Sequence, residues 1–235
     1  SVRRLPKEKD LRFAYAQAIL GAKRVEQAYA QFKQVLALSP DDGDILFTLG
    51  VLAINLNYAD DAEHYLQRDV ELQGRSDELS YFLGQTLDLK KDYHGAIHYY
   101  SLVEGGQYFF DARVRRADLQ AKEGHLATAR AGLHNLRVLM PQRRVDIYLA
   151  EGDILRQAEK YDEALAVYNH GLGEFPDNRD LLYGRAFVAA KVGKIDMAER
   201  DLLNIIQRDP NNAEALNALG YTLADSTNRY EEALK

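Results

Sequence analysis

Apolar residues recur along the chain at i, i+3, i+4 and i+7, as in Ile45, Leu46, Leu49, Leu52 and Ala53. That spacing lines one face of a helix and is wrong for the two-residue alternation of a strand. A second, longer periodicity orders the helices. Ala16, Gly50, Gly84, Ala117, Gly152, Ala186 and Gly220 follow one another at intervals of 34, 34, 33, 35, 34 and 34. Each is answered twelve or thirteen residues later by an alanine: Ala28, Ala62, Ala96, Ala129, Ala164, Ala198 and Ala233. One repeat therefore carries two helices, and its small slots are expected to face one another so that the backbones approach closely. Phe32, Leu66, Tyr100, Leu133, Tyr168 and Leu202, one turn beyond the alanines, fill the space above.

Turn residues fix the limits of these helices. Pro40, Pro141, Pro176 and Pro210 fall twelve residues after an alanine, where they close a second helix. Asp41-Asp42, Asp177-Asn178 and Asn211-Asn212 then start the next first helix, and Glu123-Gly124 and Gly193-Lys194 separate paired helices. First helices are predicted over 8–22, 42–57, 76–90, 109–123, 143–158, 178–192 and 212–225. Second helices are predicted over 25–38, 59–72, 93–104, 126–139, 161–174 and 195–208, with a stub from about 229. The expectation is one all-α array over 1–235, a right-handed superhelical solenoid. Its repeats lie near 8–41, 42–75, 76–108, 109–142, 143–177, 178–211 and a truncated 212–235.

The hairpin period, the Gly/Ala and Ala slots, the aromatic or leucine slot and the closing proline together resemble the tetratricopeptide repeat (TPR) over residues 8–235. The family's first-helix tryptophan is absent: Leu46, Tyr148, Leu182 and Leu216 stand in its place. Arg116, Glu151 and Arg185 replace the usual leucine before the small slot, and an alternating-charge ladder across successive repeats is the expected arrangement.

A more specific likeness lies in Asp209–Asp225 followed by Asn228-Arg229-Tyr230-Glu231-Glu232-Ala233-Leu234. It resembles the outer-membrane TPR lipoproteins of gammaproteobacteria typified by LbcA, the adaptor of a carboxyl-terminal processing protease. The Asp-Leu-Leu-Tyr-Gly-Arg-Ala and Met-Ala-Glu-Arg-Asp-Leu segments before it fit the same family. The resemblance implies a periplasmic adaptor that brings the protease to peptidoglycan-hydrolase substrates. It also implies an outer-membrane tether through an N-terminal lipid whose cysteine is not in this chain. Starting at Ser1 and ending early in a helix, the sequence reads as a piece of a longer protein.

In the TPR arrangement the position three residues before the small slot faces the concave groove. Here it holds Phe13, Phe47, Tyr81, Val114, Leu149, Tyr183 and Asn217, with Val51, Phe187 and Tyr221 one residue after the slot. Phe13, Phe47, Val51, Tyr81, Leu149, Tyr183, Phe187, Asn217 and Tyr221 are therefore the candidate partner-binding residues, since aromatic groups give contact area at low entropic cost. Packing between neighbouring repeats is the competing use of each of them.

Charge narrows the partners. A formal net charge of −6 argues against a general nucleic-acid binder. An acid stands six residues before every small slot (Asp10, Asp44, Glu78, Asp111, Asp146, Asp180 and Glu214), where it complements a helix N-terminus. This is the reverse of the lysine and asparagine set with which some TPR domains grip a terminal carboxylate. The middle of the chain is locally basic, and Arg113, Arg115, Arg143 and Arg144 form a candidate patch for an acidic partner.

There is no cysteine, which excludes disulfides and thiolate metal sites. His94 and His98 share a helix face but have no third ligand at a tetrahedral spacing, so they read as surface histidines. No nucleophile, metal or phosphate-loop motif is present. The expectation is a non-catalytic protein-interaction scaffold with no cofactor. A self-associating assembly factor of an envelope secretion or pilus system is the alternative.

Overall fold

The computed structural model describes residues 4–227, which form thirteen α-helices and a 3-10 turn at Pro141–Arg143, with no strand among the described residues. The chain divides into two compact units, Ser1–Leu119 and Gln120–Lys235. In the first, α1 (Arg4–Gly21) pairs with α2 (Val25–Leu36), α3 (Gly43–Asn55) with α4 (Ala59–Gln73), and α5 (Asp77–Leu89) with α6 (Tyr93–Ser101). Next comes α7 (Phe109–Lys122), within which the division falls. In the second unit, α8 (Leu126–Leu139) packs on α9 (Arg144–Gln157). There α9 pairs with α10 (Tyr161–Glu174), α11 (Arg179–Lys191) pairs with α12 (Ile195–Arg208), and α13 (Ala213–Thr227) packs on α12. The expected stub from about 229, with Ala233, lies outside the described residues.

One turn geometry recurs at every described hairpin. Lys23, Asn57, Lys91, Gly124, Glu159 and Gly193 all have positive φ, and their spacing of 34, 34, 33, 35 and 34 follows the repeat. A left-handed residue there lets the next N–H reach back five residues and close the first helix. Tyr58 N–H donates to Ala53 O (2.8 Å), Lys160 N–H to Leu155 O (2.8 Å) and Lys194 N–H to Ala189 O (2.8 Å). The second member of each polar pair supplies the following cap. Asp42 accepts from Ile45 N (3.3 Å), Asn178 from Leu181 N (3.0 Å) and Asn212 from Ala215 N (2.9 Å).

Two boundaries differ from expectation. The first helix starts at Arg4, so Asp10 sits in its interior rather than in its first turn. The sixth stops at Ser101 instead of 104 because Asp77 takes the following backbone for itself, its carboxylate accepting from Glu104 N (3.2 Å) and Gly105 N (2.9 Å).

The nearest neighbours of the glycine slots are large side chains rather than the alanines. A Cβ on Gly50 would lie 2.5 Å from Leu66, and one on Gly84 would lie 2.7 Å from the Tyr100 ring. It is the bulky residue sixteen positions on that inserts against the glycine, while the alanines among the described residues are fully buried. Burying such a leucine or aromatic side chain contributes roughly 1.5–3 kcal/mol, and the glycine makes the room.

Candidate protein-binding groove

The groove slots behave differently in the two units. In the first, Phe13 is half-buried with its ring edge-on to Phe32 (5.8 Å), and Phe47 is edge-on to Phe82 (5.3 Å). Val51 is half-buried as well. Tyr81 is only 6% exposed: its ring stacks on Tyr108 at 4.5 Å and 14°, and its hydroxyl accepts from the Gln85 amide (3.1 Å). Tyr81 is thus core, not lining, a correction that follows from the early end of α6. The segment folded back onto Asp77 leads into Tyr108, which covers the slot.

In the second unit the slots stay open. Tyr183, Phe187 and Tyr221 are 37, 42 and 71% exposed. With Ala186, Leu202 and Ala218 they line a cavity of about 400 Å³ between α11, α12 and α13. The Arg156 guanidinium lies 5.3 Å from the Phe187 ring centre and the Lys191 ammonium 5.9 Å, so cations flank the aromatic shelf. Tyr183 also borders a second cavity of about 210 Å³, where it meets Leu149 beside Asp153, Asp180 and Glu214. Tyr183 is shared by the two cavities, with Phe187 and Tyr221 on the first and Leu149 on the second, while Asn217 is exposed and borders neither.

The four candidate arginines do not make a free basic patch. Arg113 and Arg115 belong to the first unit, where Arg113 covers the Phe109 ring (4.8 Å) and Arg115 approaches Asp88 (4.0 Å). Arg143 and Arg144 belong to the second, where Arg143 pairs with Asp146 and Arg144 with Glu174 (3.0 Å). Each has a local partner, so the four do not act together as one basic patch.

Nor is there a ladder between Glu151 and Arg185. Arg185 instead grips the buried Asp201 of its own hairpin through two bonds of 2.7 Å and donates to Asn169 (2.8 Å). Glu151 is 0% exposed and collects Arg130 Nε (2.9 Å), His134 Nε2 (3.0 Å) and Arg137 (3.1 Å) from α8. Glu151 and Arg185 take their ion pairs from an adjacent helix instead of the equivalent slot one repeat away. Arg116, in the first unit, has its pKa lowered by burial and by Arg113.

The partners of Glu151 are what sequence reasoning missed. Arg137 lies over the Tyr148 ring (4.4 Å), and Tyr148 Oη donates to Glu174 Oε1 (2.5 Å). That bond, together with Arg144, holds the Glu174 carboxyl below its usual range. The available signal was a glutamate in a slot that holds Leu49 and Leu83 in other repeats. Among the described residues no group of three His, Asp or Glu is placed to hold a metal, and no helix is long and apolar enough to cross a membrane.

Two-helix repeats of 33 to 35 residues, closed by a left-handed turn and packed through a small slot, define a tetratricopeptide-repeat protein. The family model for the tetratricopeptide repeat matches residues 19–86 and 155–220, and the chain belongs to that family. It is similar to a TPR repeat-containing protein of Pseudomonas aeruginosa, 36% identical over 157 residues that make up 67% of this chain and 27% of that protein. The chain thus spans about a quarter of that relative's length. Solved structures with the same fold include a tetratricopeptide repeat protein from Parabacteroides merdae (TM-score 0.71, 14% identity, 97% of this chain and 90% of that one). Another is PilW, a type IV pilus biogenesis factor (TM-score 0.64, 15% identity, 90% and 98% covered). PilF of Pseudomonas aeruginosa is a third (TM-score 0.60, 15% identity, 94% and 99% covered). TPR repeat proteins are generally non-catalytic scaffolds that bind protein partners.

Proposed function

We propose that this chain is the non-catalytic scaffold part of a periplasmic, outer-membrane-tethered adaptor. It brings a carboxyl-terminal processing protease to peptidoglycan-hydrolase substrates. The observation that carries the interaction role is the open aromatic lining of Tyr183, Phe187 and Tyr221 around a 400 Å³ cavity. Exposed aromatic groups held on rigid helices give a partner segment buried area without ordering cost. The adaptor role rests on the resemblance carried by the Asp209–Asp225 run, and the 36% identical Pseudomonas relative supports the TPR scaffold. Holding two partners on one scaffold raises the concentration each presents to the other. Titrating the purified protease into the full-length protein tests this: Tyr183→Ala with Phe187→Ala weakens binding about tenfold or more, with helicity unchanged, if the groove is used.

The second reading is a self-associating assembly factor of an envelope machine. Leu216 and Tyr221 on α13 are both exposed apolar groups, and either offers a contact to a second copy. Sedimentation of the full-length protein separates the readings: a concentration-dependent dimer abolished by Tyr221→Ala favours assembly.

A further inference from the structure

Equivalent crevices open between successive hairpins in the two units, and only one has a charged floor. In the first unit Lys33, Leu36, Ala37, Leu46, Tyr65 and Arg68 surround about 440 Å³ between α2, α3 and α4. In the second, His134, Arg137, Val138, Tyr148, Val167 and His170 occupy the matching repeat positions around about 480 Å³ between α8, α9 and α10. Leu36, Leu46 and Leu49 of the first unit correspond to Arg137, Tyr148 and Glu151 of the second. The architecture is thus satisfied by leucines, and the fully buried Glu151 with its two arginines is not needed to close it. Buried ion pairs are commonly no more stable than apolar replacements of similar volume, so the charge at this position answers to something other than folding.

We infer that the charged crevice is a second binding site, for a carboxylate on an acidic, partly apolar segment of a partner protein. The charged side chains of the lining are three arginines, with two histidines, against Glu151 and Glu174. Glu151 contributes no surface, whereas Arg144, His134 and His170 are 44, 51 and 72% exposed at the side chain. Glu163 closes the outer side of Arg130 (2.6 Å) and is not part of the lining, and Glu174 is engaged by Tyr148 and Arg144. Arg137 is pinned between the Glu151 carboxylate and the Tyr148 ring, so its fork is preorganised and loses little entropy on meeting an acid. Val138, 79% exposed on the rim, offers an apolar contact next to the charges, and the lining holds no lysine of the kind that clusters against an anionic membrane. The crevice is distinct from the aromatic groove. Positions 144, 148 and 151 lie on roughly the opposite side of α9 from positions 149 and 153, which border the groove cavity.

The test is fluorescence anisotropy with a labelled peptide of alternating Glu and Leu, beside the same peptide with Gln in place of Glu. Binding of the Glu peptide that weakens about tenfold in Arg144→Glu, and is unchanged in Tyr221→Ala, is the expected result. Replacing the floor by that of the first unit (Arg137→Leu, Tyr148→Leu, Glu151→Leu) is expected to leave the melting temperature equal or higher and to abolish peptide binding. Equal affinity for the Gln peptide overturns the proposal, as does an unaffected Arg144→Glu. Preference for vesicles of anionic phospholipid over the Glu peptide overturns the partner class. Loss of binding in Tyr221→Ala alone assigns the peptide to the groove and overturns the second site.

Discussion

Tyr81 and Tyr183 occupy the same repeat position, three residues before a small slot, yet one is core and the other surface. In the first unit Tyr108 and Phe82 close over Tyr81, so aromatic rings satisfy each other within the chain. In the second unit Tyr183, Phe187 and Tyr221 remain open, and charge moves inside instead, as Arg185–Asp201 and the Glu151 cluster. A repeat position sets where a side chain stands. Its neighbour's loop decides whether that place is filled from within or left for a partner.

Paired substitutions probe this contrast most strongly. Tyr81→Ala is expected to cost about 3–5 kcal/mol as a buried aromatic truncation, while Tyr183→Ala stays within roughly 0.5 kcal/mol, typical of a surface change; urea unfolding of the two variants measures the gap. Asp201→Ala leaves the Arg185 guanidinium facing an empty partner site and is expected to lower stability by about 3 kcal/mol. A double-mutant cycle with Arg185→Leu recovers much of that loss if the pair, and not the leucine-sized volume, is what matters. Gly84→Leu drives a side chain into the Tyr100 ring and is expected to cost about 1–3 kcal/mol, readable as a drop in melting temperature.

Asp69 gives a pH signature in the first unit. It is 2% exposed, and burial pushes its carboxyl up against the one compensating bond from the Gln73 amide (2.7 Å). A raised folded value means that its contribution is full below the ordinary carboxylate range and is lost as pH rises through the folded value. Asp69→Asn is therefore expected to raise the melting temperature at pH 7 and to change it little at pH 4. The smallest effect belongs to the turns: Glu159→Gly relieves a left-handed side chain and is expected to stabilise by up to about 1 kcal/mol, whereas Gly124→Ala does the opposite.

Most of the helix limits were legible because a 34-residue period repeats the same evidence six times. Proline and the Asp/Asn caps marked the ends, and the caps fell on Asp42, Asn178 and Asn212. The left-handed turn position was visible only at Gly124 and Gly193; Lys23, Asn57, Lys91 and Glu159 take the same conformation without a residue that advertises it. For the site, the open lining of Tyr183, Phe187 and Tyr221 was legible as a pattern of aromatic slots. The burial of Tyr81 was not, since it depends on how residues 102–108 fold back. Glu151 drew attention as a charged residue in a leucine slot, but its partners come from α8, 14 to 21 residues earlier, where repeat arithmetic does not look. Matching slots invited a ladder; side-chain reach favoured the adjacent helix.

The contrast between a closed and an open aromatic slot is tested most directly by titrating the proposed partner, a purified carboxyl-terminal processing protease, into the full-length protein carrying Tyr183→Ala, Phe187→Ala and Tyr221→Ala together. At least about tenfold weaker binding, with an unchanged melting curve, is the predicted result. Wild-type affinity in the triple variant would contradict the account.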